Sequence, residues 1–174
     1  METIATLFIT FFACPEYFCD GAVQVQVTGP ADQAVKQPKC MQRAELITIK
    51  IAAKRNGINI INDDDGNYSD FFVLLLAIRK SENGGPGREF GIIHPRCDAQ
   101  IAAEPDRSLD IQAGWAAATV LNNYQRWIRA GCPGGRGGFI DYLADEWCPI
   151  ATDPAGNANW KLNVGFFVKK FRGQ

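Results

Sequence analysis

A chain of 174 residues that is 47% apolar and 21% charged has the size and composition of a globular unit able to bury its own core, which excludes wholesale disorder. Its 18 basic and 19 acidic side chains nearly cancel, which argues against a nucleic-acid binder working through a strongly positive surface. One histidine excludes a multi-histidine metal site, and no apolar run approaches the roughly 20 residues that span a bilayer as a helix.

Residues 1–29 read as two strands. Ile4, Leu7, Phe8, Ile9, Phe11 and Phe12 are β-formers, and Val23, Val25 and Val27 alternate with Gln24, Gln26 and Thr28. Gly29-Pro30 ends the run, and the strands would join around residues 15–21 as a β-hairpin, followed by a polar connector over 30–39. An exposed hairpin edge would suit a protein partner. Phe12-Ala13-Cys14 resembles a cleavage site, but the basic flank of an export signal is missing and Glu2 has the wrong sign, so no signal peptide is expected. The cysteines (Cys14, Cys19, Cys40, Cys97, Cys132 and Cys148) allow three disulfides or a set of buried thiols, and their spacing does not choose. Cys132 and Cys148 flank one short predicted helix and are the candidate pair if the protein works outside the cytoplasm. The paired CxxC spacing of a structural zinc site is absent, and no cofactor is called for.

The rest reads as mainly helical. Residues 42–55 place Ala44, Ile47 and Ile51 on one face and end at Asn56-Gly57, although Ile47, Ile49 and Ile51 also fit a strand. The Asp-Asp-Asp-Gly-Asn run at 63–67 is turn chemistry; Gly66 is misplaced for a calcium loop and no Glu closes it. Ser69 caps a helix over 70–82 whose buried stripe is Phe71, Leu75 and Ile78. Eleven positions after Phe71, Glu82 points within roughly 20° of it, on the inward side. Residues 83–87 break the helix at once, and 89–94 are extended. A helix over about 109–129 carries Leu109, Ala113, Ala116, Val120 and Tyr124, with Trp127 and Ile128 extending the stripe. A glycine-rich connector, a short helix at 138–146 and a last helix at about 158–171 burying Trp160, Val164, Phe167 and Phe171 complete the chain.

The block Ala77-Ile-Arg-Lys-Ser-Glu82-Asn83-Gly84-Gly85 and the segment Phe90-Gly91-Ile92-Ile93-His94 resemble the active-site region of the lysozyme-like superfamily. They are most similar to soluble lytic transglycosylases, goose-type lysozymes and related phage enzymes. Asp110-Ile-Gln-Ala-Gly-Trp115 resembles that group's next helix. Trp147-Cys-Pro149 to Asp153, with Asn159-Trp160 to Asn163-Val164, resembles a late loop and helix of phage wall hydrolases. The likeness covers residues 44–171, and His94 stands where the group has glutamine. It implies a lysozyme-like catalytic domain at 41–174; with the β-hairpin and connector read at 1–40, which the likeness does not reach, the expected architecture is mainly α, α+β. The likeness also implies action at the bacterial cell wall on peptidoglycan glycan strands.

Breaking the β-1,4 bond between aminosugars needs a proton for the leaving oxygen, and a carboxyl in a half-dry cleft can supply it. Glu82 matches that acid. A transglycosylase manages with one carboxyl, whereas a hydrolase usually needs a second, for which Glu89, Asp98, Asp141 and Asp153 are candidates. Sugars stack on aromatic rings and hydrogen-bond to amides, so Asn83, Gly91, His94, Tyr124, Tyr142, Asp153, Asn159 and Trp160 are candidate substrate contacts. Tyr124 and Trp160 also lie on helix stripes, where they fit a core equally well. The alternative is a wall-binding or virion structural protein that keeps the fold without the chemistry. A Cys–His peptidase has only the sequence proximity of Cys97 to His94, which does not make a dyad.

Overall fold

Ser69 accepts a hydrogen bond from the Phe72 amide (3.3 Å), and this cap opens the most deeply enclosed helix of the fold. In a computed structural model, which describes residues 41–62, 67–135 and 138–173, six α-helices follow one another. They are α1 (Arg43–Arg55), α2 (Asp70–Glu82), α3 (Pro95–Ala103), α4 (Ser108–Arg129), α5 (Gly138–Trp147) and α6 (Pro154–Phe171). A 3₁₀ turn, Pro105–Arg107, leads into α4. Helix takes up 70% of the described residues and no strand occurs among them; Ile61 and Tyr68 form one isolated bridge. The mixed α+β expectation is therefore corrected to an all-helical fold for these residues. The hairpin expected at 1–29, the connector at 30–39 and most of the acidic turn (63–66) lie outside the described residues.

Helix α2 is buried on all sides rather than along one stripe. Every residue from Phe72 to Ile78 is enclosed, and Phe72, Leu75, Leu76 and Ile78 are fully so, each worth about 1.5–3 kcal/mol of burial. Phe71, expected to open the buried stripe, is only half-buried. Helix α6 packs along α2, α1 packs along α4, and α5 bridges α4 and α6.

The inward face of α1 differs from expectation. Leu46, Ile49, Ala52 and Ala53 are buried, while Ala44, Ile47 and Ile51 face outward. The small residues decide it. Ala52 and Ala53 meet an α4 face that carries Ala113, Ala116 and Ala117, all fully enclosed, so the two helices approach closely. The predicted ending holds: Gly57, at φ +85°, lets its own amide reach the Lys54 carbonyl and the Ile58 amide reach that of Ala53 (3.0 Å each). Arg55 and Arg107 both clamp Asp110, at 2.8 and 2.7 Å, which ties the end of α1 to the start of α4.

Helix α3 was not expected. It starts at Pro95 with His94 as its cap and buries only Cys97, so no apolar period announces it. Helix α6 begins four residues before its expected start, because Asp153 caps it through the Gly156 amide (2.8 Å) and Pro154 takes its first position. No described helix is long and apolar enough to cross a membrane.

Candidate active site

The end of α2 is set by backbone geometry. Asn83 takes the left-handed conformation (φ +46°) and returns its amide to the Arg79 carbonyl at 3.1 Å. A side chain at Gly84 would collide with the Arg88 carbonyl, so the chain doubles back against itself. This return brings Gly91 onto the side chain of Glu82. Gly91 has φ +67°, and a Cβ placed there would lie 2.7 Å from the Glu82 carboxyl carbon. The carboxyl thus rests on bare backbone. From α6, the Trp160 indole N–H donates to Glu82 Oε1 at 2.8 Å. Trp147 stacks on Trp160 (5.8 Å between centroids, 28° between planes) and donates its own indole N–H to the Phe90 carbonyl at 3.2 Å.

Burial pushes the Glu82 carboxyl above its ordinary range, because the charged form loses hydration; the Trp160 hydrogen bond pulls the other way and only partly offsets it. The C-terminal end of α2 adds a further bias against a negative charge. The result is a carboxyl that keeps its proton to higher pH than a solvated one and stays accessible at the mouth of the turn.

The segment that carries Gly91 is held from beneath by a residue that the sequence does not advertise. Gln112 of α4 is fully enclosed. Its Oε1 accepts from the amides of Phe90 and Ile92 (3.2 Å each), and its Nε2 donates to the carbonyls of Ile92 (3.0 Å) and Gly87 (3.2 Å). Glu89, also buried, accepts from the Ser108 hydroxyl (2.5 Å) and the Gly87 amide (3.0 Å). The loop over 84–92 therefore has a fixed shape although it contains no regular element. The signal for Gln112 was its position one residue before Ala113 of the buried α4 stripe, where a long amide is out of place unless a loop needs it.

Of the candidate substrate contacts, the structure brings Gly91 and Trp160 onto Glu82. Asn83 is exposed beside it as the helix cap. Asp153 lies near the same region: burial, then Asp153, then Glu82 push the Cys148 thiol up. The others are elsewhere. Tyr124 sits in an aromatic cluster with Phe71 (4.7 Å), Phe139 (5.2 Å) and Trp127 (5.8 Å). That is the opposite end of α2, about 16 Å along the helix axis from Glu82. His94 caps α3 through the Arg96 amide (3.2 Å) and lays its ring on Trp115 (4.7 Å). Tyr142 packs half-buried against the core on α5. Asn159 is exposed, while its neighbour Asn157 is buried and bonds to Asp145 (2.9 Å) and the Cys148 carbonyl (2.8 Å).

The other carboxylates considered as partners are engaged. Glu89 is bonded as above, Asp98 pairs with Arg88 (2.6 Å) and Asp141 with Lys161 (3.7 Å). Cys97, Cys132 and Cys148 are thiols, so the Cys132–Cys148 disulfide is not formed. Cys132 packs into the core at the turn after α4 (φ +54°), and Cys148 lies against Gly156 and Asp153. Among the described residues, no group of three His, Cys, Asp or Glu could hold a metal ion. Compared with models of known protein families, with curated proteins and with solved structures, the chain matches none of them.

Proposed function

We propose that the protein cleaves the β-1,4 bond of peptidoglycan glycan strands, with Glu82 as general acid and then general base. The observation that carries this is the Glu82 carboxyl itself: half-buried at a helix end, packed on the Gly91 backbone, held by the Trp160 indole and biased toward its protonated form. The resemblance of residues 77–94 to the lysozyme-like superfamily supports the same assignment.

In the first step Glu82 gives its proton to the glycosidic oxygen as the bond to the anomeric carbon breaks, and the departing sugar leaves as an alcohol. Glu82, now a carboxylate, takes a proton from the group that attacks the anomeric carbon. In a transglycosylase that group is the sugar's own 6-hydroxyl, and a 1,6-anhydro ring forms. In a hydrolase it is water, and a reducing end forms. We favour the transglycosylase course, since Glu89, Asp98 and Asp141 are held by other partners and Asp153 is engaged as the cap of α6 through the Gly156 amide. Trp147, half-buried and stacked on the enclosed Trp160, is the aromatic ring next to the acid against which a sugar would pack.

Mass analysis of glycan fragments after digestion of purified peptidoglycan tests this. Anhydro ends, one water lighter than reducing ends, are the expected product. Reducing ends would assign hydrolysis, and binding without products would leave a structural wall-binding protein instead.

Gly91→Ala probes the contact between the acid and the loop. Its methyl group has no room beside the carboxyl, and a positive φ costs a side-chain-bearing residue about 1–2 kcal/mol. Displacing a reacting group by about 1 Å costs up to about 10²-fold in rate. The variant is expected to cleave that much more slowly and to melt at a lower temperature. Wild-type turnover would mean that the carboxyl does not rest on Gly91 during the reaction.

A further inference from the structure

The outward face of α1 and the segment after it form a groove of about 820 Å³, lined by Ile47, Ile51 and Ile61 with Lys50 and Lys54 at its rim. Ile47 and Ile51 of α1 and Ile61 of the segment after it are 48%, 56% and 36% exposed, a concentration of branched apolar surface along one groove. Lys50 holds its ammonium over the Tyr68 ring (5.0 Å to the centroid), which keeps one positive charge close to the apolar floor.

We propose that this groove is the docking site of the chain's own residues 1–35. Three observations choose that occupant. The first is charge. Residues 1–35 contain four carboxylates (Glu2, Glu16, Asp20 and Asp32) and neither Lys nor Arg, so they complement a rim built from lysines. The second is composition. Ile4, Leu7, Phe8, Ile9, Phe11 and Phe12 make the first third of this stretch densely apolar, which matches a groove floored by isoleucine. The third is connection. The described chain begins at Met41, which packs against the core and leads straight into α1, the helix that supplies the groove. Residues 36–40 span up to about 17 Å when extended. Ile51 lies only about 12 Å along α1 from Arg43. The occupant is thus delivered beside the groove at high local concentration. This inference stands apart from the glycan-cleaving proposal, since the groove shares no residue with the Glu82 site.

The test uses the full chain and a zero-length carbodiimide, which joins a lysine to a carboxylate already in contact with it. An equimolar mixture of isotope-labelled and unlabelled protein separates links within a chain from links between chains. Peptide mass spectrometry is expected to find Lys50 and Lys54 joined to Glu2, Glu16, Asp20 or Asp32 of the same chain. These links should be at least about tenfold more abundant than links from Lys169 and Lys170 of α6 to the same carboxylates. Ile47→Ser/Ile51→Ser alters only exposed side chains, so the fold survives it, and it is expected to reduce the links by about tenfold or more. Equal linkage from α6, links undiminished in the double variant, or links solely between labelled and unlabelled chains would each overturn the proposal. The last outcome would assign the groove to a second copy of the chain.

Discussion

Glu82→Gln is expected to reduce glycan cleavage by about 10²- to 10⁴-fold, the usual worth of a positioned general acid, while leaving the helical circular dichroism signal unchanged. The amide keeps the size of the carboxyl and can still accept from the Trp160 indole, but it has no proton to give. The same substitution should raise stability at neutral pH. Because burial lifts the Glu82 pKa in the folded state, its favourable contribution is complete below the ordinary carboxylate value of 4.5 and is lost as the pH rises through the folded value. Above that point wild type holds a poorly hydrated charge that the glutamine variant lacks. Thermal melts at pH 7 should therefore place the variant above wild type, and the two curves should converge below pH 4.5. Unchanged cleavage by the variant would remove Glu82 from the reaction, and a variant less stable than wild type at pH 7 would contradict the burial of the carboxyl.

Gln112→Leu is the second large effect, on both stability and rate. It deprives the Phe90 and Ile92 amides and the Ile92 and Gly87 carbonyls of a buried partner. Unsatisfied buried groups cost about 1–3 kcal/mol each, partly recovered as the loop relaxes toward water, so a net loss of about 2–4 kcal/mol is expected. For a chain of this size that is roughly 5–10 °C in melting temperature. Stability alone would not show that Gln112 positions the acid, so the pH dependence of turnover decides. A general acid loses activity as the pH rises through its own pKa. If Gln112 holds Gly91 against Glu82, loosening the loop hydrates the carboxyl, and the alkaline limb of the profile moves to lower pH. A profile that keeps its alkaline limb, whatever its height, would confine Gln112 to a structural role.

The helix carrying the acid was legible because independent signals coincide there: the Ser69 cap, the apolar run over 71–78 and the break at Asn83 and Gly84. The placement of Glu82 then followed from helix geometry. The inward face of α1 was not legible, since Ile47 and Ile51 fit the helical period as well as Leu46, Ile49 and Ala53 do. The choice is made by the alanines of α4, which lie more than 55 residues downstream of Ile51 and reward close approach over bulk. Helix α3 escaped notice because a nine-residue helix that buries only Cys97 has no pattern to read, although His94-Pro95 is a sound start signal. Tyr124 and Trp160 show the ambiguity of an aromatic on a helix stripe. Both lie on the inward face of their helices, yet one closes an aromatic cluster around Phe71 and the other hydrogen-bonds to the acid. Only the packing of α6 along α2 separates the two outcomes.

The contacts that complete the Glu82 site also set an order in time. Phe90 waits for Gln112, 22 positions later in the chain, and its carbonyl for the Trp147 indole, 57 positions later. Glu82 waits longest, since its donor is 78 positions downstream. A ribosome releases residues one after another, so a nascent chain exposes its acid well before it owns the groups that hold that acid in place. A chain interrupted anywhere before α6 carries Glu82 without its indole partner and without the helix that packs along α2. Under the proposed function, the complete acid site therefore arrives with the last helix, and a chain that ends before Trp160 lacks it.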